Sequence, residues 1–182
     1  SVPGASGVIS TLGSQIFNAS SLGLPVDGLT FSSMTVPSGT NGRSHLARAV
    51  LEGMAFGARA NADQALAVSG VKLQRIHAGG GMTRSKLMQQ IIADVFNLPL
   101  HCDGGQQTSA FGAVICAAFG AGLYPSLIKA AEEMTKGLMD IKPDRSADQY
   151  LELYKTWRGH LDQRAGADAV ATDSIMQAMQ SA

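Results

Sequence analysis

A run of three glycines is the segment whose residue types and spacing point most directly to chemistry. Gly79, Gly80 and Gly81 follow a short apolar stretch that predicts a strand, and a helical pattern begins at Ser85. Glycine lets backbone N–H groups approach a ligand closely, and the start of a helix attracts negative charge. The segment therefore predicts a nucleotide site, although three glycines also make an ordinary tight turn between a strand and a helix.

The spacing of these glycines differs from that of the two common nucleotide loops. It matches neither the Walker loop nor the Gly-x-Gly-x-x-Gly fingerprint, because the segment from Gly81 to Ser85 lacks a third glycine. Asp103 lies about 20 residues further on, where a dinucleotide site has an acidic residue. Since the third glycine is absent, mononucleotide binding is favoured over dinucleotide binding.

Residue types typical of other chemistries have no suitable spacing. No two histidines are four residues apart, and none has a Cys or carboxylate at ligand spacing, so no metal site is expected. The four histidines are His45, His77, His101 and His160. The Gly-x-Ser-x-Gly motif of a hydrolase is absent.

Two cysteines and two carboxylates are predicted to have structural roles. Cys102 and Cys116 have no zinc or redox spacing and are predicted to be buried, reduced thiols. Glu52 and Asp94 each lie within a helical pattern, where a carboxylate usually pairs with a neighbouring polar group or faces water.

Helical and strand patterns alternate along the chain, which predicts an α/β fold with a partly parallel sheet. The predicted strands lie near Leu29 to Phe31, from Leu73 to Ala78 and from Pro99 to Cys102. The predicted helices run from His45 to Val68, Ser85 to Phe96, Thr108 or Ser109 to Phe119, Ser126 to Met134, and onward from Pro143, with a weakly helical tail from Ala165 to Ala182.

Two helices carry signs of close packing. Gly53 and Gly57 lie on one face of the first long helix, and each costs about 0.8 to 1 kcal/mol relative to Ala in a helix interior. We expect another part of the chain to approach this face closely. Tyr150, Tyr154 and Trp157 share one face of the last helix and are predicted to pack in the core.

Composition predicts a single domain over residues 1–182, without nucleic-acid or membrane partners. The chain has 45% hydrophobic residues, and 14 Lys and Arg balance 14 Asp and Glu, so it lacks the basic surplus typical of nucleic-acid and anionic-membrane binders. The stretch from Ala110 to Tyr124 is shorter than the roughly 20 residues of a membrane span and is predicted to be a core helix. No signal peptide is evident, so a cytoplasmic location is expected.

Three ordered segments of the chain resemble the C-terminal domain of the FGGY carbohydrate kinases. The segment from His45 to Phe56 resembles the second half of the family's C-terminal signature. The segment from Gly79 to Ser85 resembles the family's adenosine loop, and that from Thr108 to Ala113 resembles its Ala-Leu-Gly-Ala motif. Residues Gly120 to Pro125 continue the match.

The resemblance implies an actin-like, ribonuclease-H-like lobe in which helices flank a mixed sheet. Such a lobe binds ATP with Mg²⁺ and, with a sugar-binding lobe, transfers the γ-phosphate to a sugar hydroxyl. Carried over by position, the adenosine contacts are Gly79, Gly80, Gly81, Met82 and Ser85.

The resemblance does not extend to the family's general base. That base is an aspartate in a Gly-Asp-Gln type of motif, but the first 26 residues contain no Asp or Glu and Asp27 does not match the motif. No catalytic residue is therefore assigned. The base, the N-terminal sugar lobe and most magnesium ligands are expected to lie outside this chain.

The sugar remains open between two branches of the family. The segment from Pro3 to Ile9 is similar to the autoinducer-2 kinases, whereas Ala47 to Ala49 and the stretch from Gln106 to Pro125 look as much like pentulokinases. Gln106 and Gln107 stand where many members have an acidic residue. The alternative is a non-catalytic lobe that binds a nucleotide or a partner protein, and a homodimer is also considered.

Overall fold

A computed structural model describes residues 1–12, 28–34, 42–102, 108–135 and 139–180, which form two compact units. Unit 1 comprises Ser1–Val68 and Asp148–Ala182, and unit 2 comprises Ser69–Ala147. The single domain expected from composition stays a prediction. The strands are β1 (Ile9–Leu12), β2 (Leu29–Ser32), β3 (Ile76–Ala78), β4 (Leu100–Cys102) and β5 (Met139–Ile141). The helices are α1 (Gly42–Ser69), α2 (Lys86–Phe96), α3 (Thr108–Gly120), α4 (Leu127–Met134) and α5 (Ala147–Gln180).

These elements confirm the predicted alternation of strands and helices. The predicted glycine loop lies between β3 and α2, and Ser126 caps α4 by accepting a hydrogen bond from the Lys129 N–H. Strands β1 and β5 were not predicted. Helix α5 continues to Gln180, so the tail, for which a weak helix or fraying was expected, is helical.

Aromatic side chains form the core of unit 1, as the pattern on the last helix predicted. The ring of Phe56 on α1 packs against Tyr150, Tyr154 and Trp157 on α5, with centroid distances of 5.6 to 6.2 Å. The indole N–H of Trp157 donates to the Ser10 carbonyl at 2.8 Å, which joins β1 to this cluster. Edge and tilted ring contacts of this kind stabilise a core beyond the area that they bury.

The close approach predicted for the glycine face of α1 is present at Gly53. A Cβ atom on Gly53 would lie 2.5 Å from Ser10 Oγ and 2.8 Å from the Ser10 carbonyl oxygen. The Ser10 hydroxyl donates to the Ala49 carbonyl at 2.7 Å, so β1 lies directly on α1. Glycine is needed here because any side chain would separate these two backbones.

A buried polar cluster joins α1, α5 and the N-terminal segment of unit 1. Glu52 is 3% exposed, and its Oε1 accepts hydrogen bonds from Arg48 Nε at 2.8 Å, Tyr150 Oη at 2.8 Å and the Gly4 N–H at 3.0 Å. Arg48 also donates to Tyr150 Oη and to the Ser1 carbonyl. The sequence left two outcomes open for Glu52, pairing with a neighbouring polar group or facing water, and this cluster shows that it pairs.

The three-stranded sheet of unit 2 positions the glycine loop. Strand β4 lies in the centre, with β3 parallel to it and β5 antiparallel, so the sheet is mixed. Helix α2 covers one face, where Ala93, Leu100 and Cys102 are buried together. Asp94 on α2 accepts hydrogen bonds from the Asp144 N–H and the Gln90 side chain, which ties the helix to the segment after β5. Burial raises the pKa of the Asp94 carboxyl.

The helix predicted from Ala110 to Tyr124 is present as far as Gly120, but the prediction that it lies in the core is wrong. Helix α3 packs against α4, but much of its surface is exposed, with Val114 52% and Phe119 42% accessible. Cys116 lies on this exposed surface and not in the core, whereas Cys102 is buried as predicted. An apolar Ala- and Gly-rich segment has the same composition whether it is covered or open, so its sequence could not decide the question.

We predict opposite effects for alanine at two glycines in helix interiors. Gly53→Ala should lower the free energy of unfolding by about 1 to 3 kcal/mol, because the new methyl group overlaps Ser10. Gly159→Ala on α5 meets nothing within 4 Å and should raise it by about 0.8 to 1 kcal/mol. Urea unfolding of the two variants measures both values. Stabilisation by Gly53→Ala would show that β1 does not lie against α1.

We predict that the protein loses stability above about pH 10 because of its buried tyrosines. Burial raises the pKa of Tyr150 and Tyr154 in the folded state, and the neighbouring carboxylates Glu52 and Asp63 raise it further. The unfolded chain therefore loses these protons first as the pH rises. Each tyrosine should lower the free energy of unfolding by up to about 1.4 kcal/mol per pH unit.

The measurement is urea unfolding between about pH 9 and about pH 11. Tyr154→Phe removes one phenol and the hydrogen bond to Asp63, and should flatten the dependence on pH. An unchanged slope in this variant would contradict the assignment.

Candidate functional site

The segment between β3 and α2 forms one continuous loop that contains all five predicted nucleotide contacts. Gly80 has φ 98° and ψ −176°, a backbone conformation that residues other than glycine rarely adopt. A single 3₁₀ turn, Gly81–Arg84, follows and leads into α2. The loop therefore contains the five predicted contacts within seven consecutive residues, namely Gly79, Gly80, Gly81, Met82 and Ser85.

Two buried side chains that sequence reasoning missed hold the loop in shape. Thr83 is 2% exposed, and both its N–H and its hydroxyl donate to the Gly80 carbonyl, at 3.1 and 2.7 Å. Gln89 on α2 is 6% exposed and donates from Nε2 to the Thr83 carbonyl at 2.5 Å. A hydroxyl residue three positions after a glycine is a usable signal, because such side chains often bond to a nearby backbone group.

The start of α2 carries favourable electrostatics for an anion. Ser85 caps the helix, its hydroxyl oxygen accepting from the Met88 N–H at 3.3 Å. Arg84 and Lys86 flank the cap on the exposed surface, and the first turn contains no acidic residue. The helix dipole and two cationic side chains therefore favour negative charge at this end of α2.

Open space lies beside Gly80 and Gly81 in the loop. A Cβ atom built on Gly80 or Gly81 would meet no protein atom within 4 Å. The Met82 side chain next to them is 45% exposed, and it offers an apolar surface beside the backbone. The arrangement fits a ligand that has a flat apolar part and an anionic part, as a nucleotide has.

The sheet brings two histidines together that are far apart in sequence. His77 on β3 and His101 on β4 are register partners, and their ring centroids lie 5.2 Å apart. Asp140 on β5 pairs with His101, with 3.6 Å between Oδ1 and Nε2. Within the ranges that the structure describes, no group of three such side chains could hold a metal ion.

Four residues discussed in the sequence analysis lie outside the described ranges. These are Asp27, Asp103, Gln106 and Gln107. In the described part of the chain, no helix combines the length and the apolar character needed to cross a membrane.

A family model for the C-terminal domain of the FGGY family of carbohydrate kinases matches residues 25–121, more than half of the chain. Among curated relatives, the autoinducer-2 kinase of Salmonella choleraesuis (strain SC-B67) is 32% identical over 138 residues, which cover 75% of this chain and 26% of that protein. The glycerol kinase of Corynebacterium kroppenstedtii is 33% identical over 115 residues, covering 63% of this chain and 22% of that protein. The chain therefore spans about a quarter of the length of these relatives.

Solved kinases have the same fold. Xylulose kinase from Rhodospirillum rubrum superimposes with a TM-score of 0.65 at 29% identity, covering 89% of this chain and 31% of that one. Glycerol kinase from Plasmodium falciparum, solved with ADP, gives a TM-score of 0.70 at 21% identity, covering 87% and 31%. The fold is that of an actin-like ATPase lobe, as the sequence predicted, and the chain belongs to the FGGY family of carbohydrate kinases, whose C-terminal domain it carries.

Proposed function

We propose that this chain is the ATP-binding C-terminal lobe of an FGGY carbohydrate kinase, and that the loop from Gly79 to Ser85 contacts the nucleotide. The observation that carries the proposal is the open space over Gly80 and Gly81 at the cationic start of α2. Within this lobe, the role of the loop is to bind and orient the nucleotide. We place the lobe in a cytoplasmic enzyme.

The individual residues of the loop have distinct roles in this proposal. Gly79, Gly80 and Gly81 let the adenosine approach the backbone, and the exposed side of Met82 packs against it. The Ser85 hydroxyl accepts from Met88 and keeps its own proton for donation to the ligand. Thr83 and Gln89 act indirectly, because they fix the carbonyl groups around which the loop turns.

The reaction proposed for the whole protein is transfer of the ATP γ-phosphate to a hydroxyl of a pentulose or a related small ketose or polyol. Mg²⁺ bound to the phosphates would neutralise the charge that develops during transfer. We assign the base, the sugar site and most magnesium ligands to other parts of that protein, because the first 26 residues contain no Asp or Glu and Asp27 does not match the family's Gly-Asp-Gln type of motif. Domain closure would exclude water during transfer.

The second candidate is that the whole protein acts on the substrate of an autoinducer-2 kinase. The relative from Salmonella choleraesuis supports it, since its 32% identity extends over 138 residues. Rhodospirillum rubrum xylulose kinase, at 29% identity, supports the pentulose instead. A non-catalytic lobe that binds a nucleotide or a partner protein is the alternative from another class, and a homodimer stays a prediction.

We predict that a side chain at the glycine loop abolishes nucleotide binding without unfolding the protein. Gly81→Val is the sharper variant, because Gly81 has an ordinary φ and open space around it, so the new side chain would meet only a ligand. Calorimetry should show ADP and ATP binding to the native chain, and at least about tenfold weaker binding to this variant, a loss of about 1.4 kcal/mol.

Gly80→Val should also abolish binding, but it adds strain because Gly80 has φ 98°. Gly70→Val is the matched control, since Gly70 has φ 67°, lies in open space and is not part of the loop. The control should keep the affinity of the native chain. Undetectable nucleotide binding by the native chain would overturn the proposal, as would unchanged affinity in Gly81→Val.

We predict that Thr83 supports nucleotide binding by shaping the loop. Thr83→Val keeps the shape of the side chain but removes the hydrogen bond to the Gly80 carbonyl. The change should weaken ATP binding several-fold and cost about 0.5 to 1.5 kcal/mol of stability. Thr135→Val removes a hydrogen bond of equal length, 2.7 Å, at the end of α4 and serves as the control. Equal affinities in the two variants would exclude this role for Thr83.

A further inference from the structure

A half-open cavity of about 100 Å³ lies within unit 1. The rings of Phe56 and Trp157 and the side chains of Ile9 and Leu153 line it. The glycine loop belongs to unit 2, so the nucleotide proposal does not use this cavity. Its lining is almost entirely apolar, although it is open to solvent on one side.

The polar side chains in the lining already have partners within the protein. The Ser10 hydroxyl donates to the Ala49 carbonyl, and the Thr156 hydroxyl donates to the Glu152 carbonyl. Glu52 accepts three hydrogen bonds on one oxygen. A buried water needs two to four polar partners, and a lining that is almost entirely apolar offers few of them. The cavity therefore favours an apolar occupant over water.

A strained turn forms one rim of the same cavity. Gly4, Ala5, Ser6 and Gly7 all have positive φ, at 82°, 47°, 55° and 88°. Ala5 and Ser6 are disfavoured in this left-handed region because of their Cβ atoms. The Gly4 N–H is held by Glu52, which helps to keep the turn in place. Strained backbone that persists in this way clusters at ligand clamps.

We propose that this cavity is a binding site for a small uncharged molecule or group, aromatic or aliphatic, of about the size of a benzene ring. A dry apolar cavity of about 150 Å³ binds benzene or xenon. The present cavity is smaller, but its open side gives a ring additional room. A charged or strongly hydrogen-bonding ligand is disfavoured, because it would lose its hydration against a lining that is almost entirely apolar.

The test is an NMR titration of the full 182-residue chain with benzene. Saturable shifts are expected at the Trp157 indole N–H and at the methyl groups of Ile9 and Leu153. Glycerol has the same number of non-hydrogen atoms as benzene but three hydroxyl groups, and should leave these signals unchanged. Bound benzene should also raise the melting temperature of the protein, because it binds only the folded state.

Filling the cavity should remove the binding. Ala49 is 2% exposed and lines the cavity, so Ala49→Leu places three additional carbons inside it. Ala47→Leu is the matched control, since Ala47 is exposed on the same helix. Val8→Phe fills the cavity from its half-buried rim and is the second variant if Ala49→Leu does not fold.

The expected result is saturable benzene binding in the native chain and in Ala47→Leu, with at least about tenfold weaker binding in the folded filling variant. Shifts that do not saturate, shifts that glycerol reproduces, or undiminished binding in the filling variant would overturn the proposal. The outcome does not depend on ATP, so a failure here is distinguishable from a failure of the nucleotide assignment.

Discussion

The carboxylate of Glu52 is the group on which the arrangement of unit 1 depends. It is almost fully buried, and one of its oxygens accepts hydrogen bonds from α1, from α5 and from the turn at Gly4. Arg48 supplies the opposite charge that a buried carboxylate requires. Removal of either partner would leave an unpaired charge in the core, so the N-terminal turn, the two long helices and the cavity between them depend on one ion pair.

Hydrogen bonds from buried side chains also define the glycine loop of unit 2. Glycine makes the turn after β3 accessible, but glycine alone does not define its shape. The hydrogen bonds from Thr83 to Gly80 and from Gln89 to Thr83 supply that definition, and both side chains are buried. The loop has open space on its outer side and fixed backbone on its inner side, so it would bind the proposed nucleotide at a lower entropic cost.

The low charge content of the chain is explained only in part by burial. The core of unit 1 is aromatic and closely packed, but α3 and the segment after it expose large apolar side chains, including Val114, Phe119 and Leu123. Charged residues make up 15% of the chain, against about 25% in typical domains, and the structure contains both a buried core and an exposed apolar surface. The exposed thiol of Cys116 belongs to that surface.

The sequence by itself determined the five helices, three of the five described strands, the glycine loop and the family, because these depend on local periodicity, turn residues and ordered motifs. The packing of Gly53 was also predictable, since glycine in a helix interior is unfavourable without a close neighbour. Only the tertiary structure showed that Glu52 joins three segments and that His77 meets His101, because these contacts cross many residues of sequence. The exposure of α3, the pairing of strand β5 and the presence of the cavity likewise depend on which surfaces meet. A linear pattern does not contain that information.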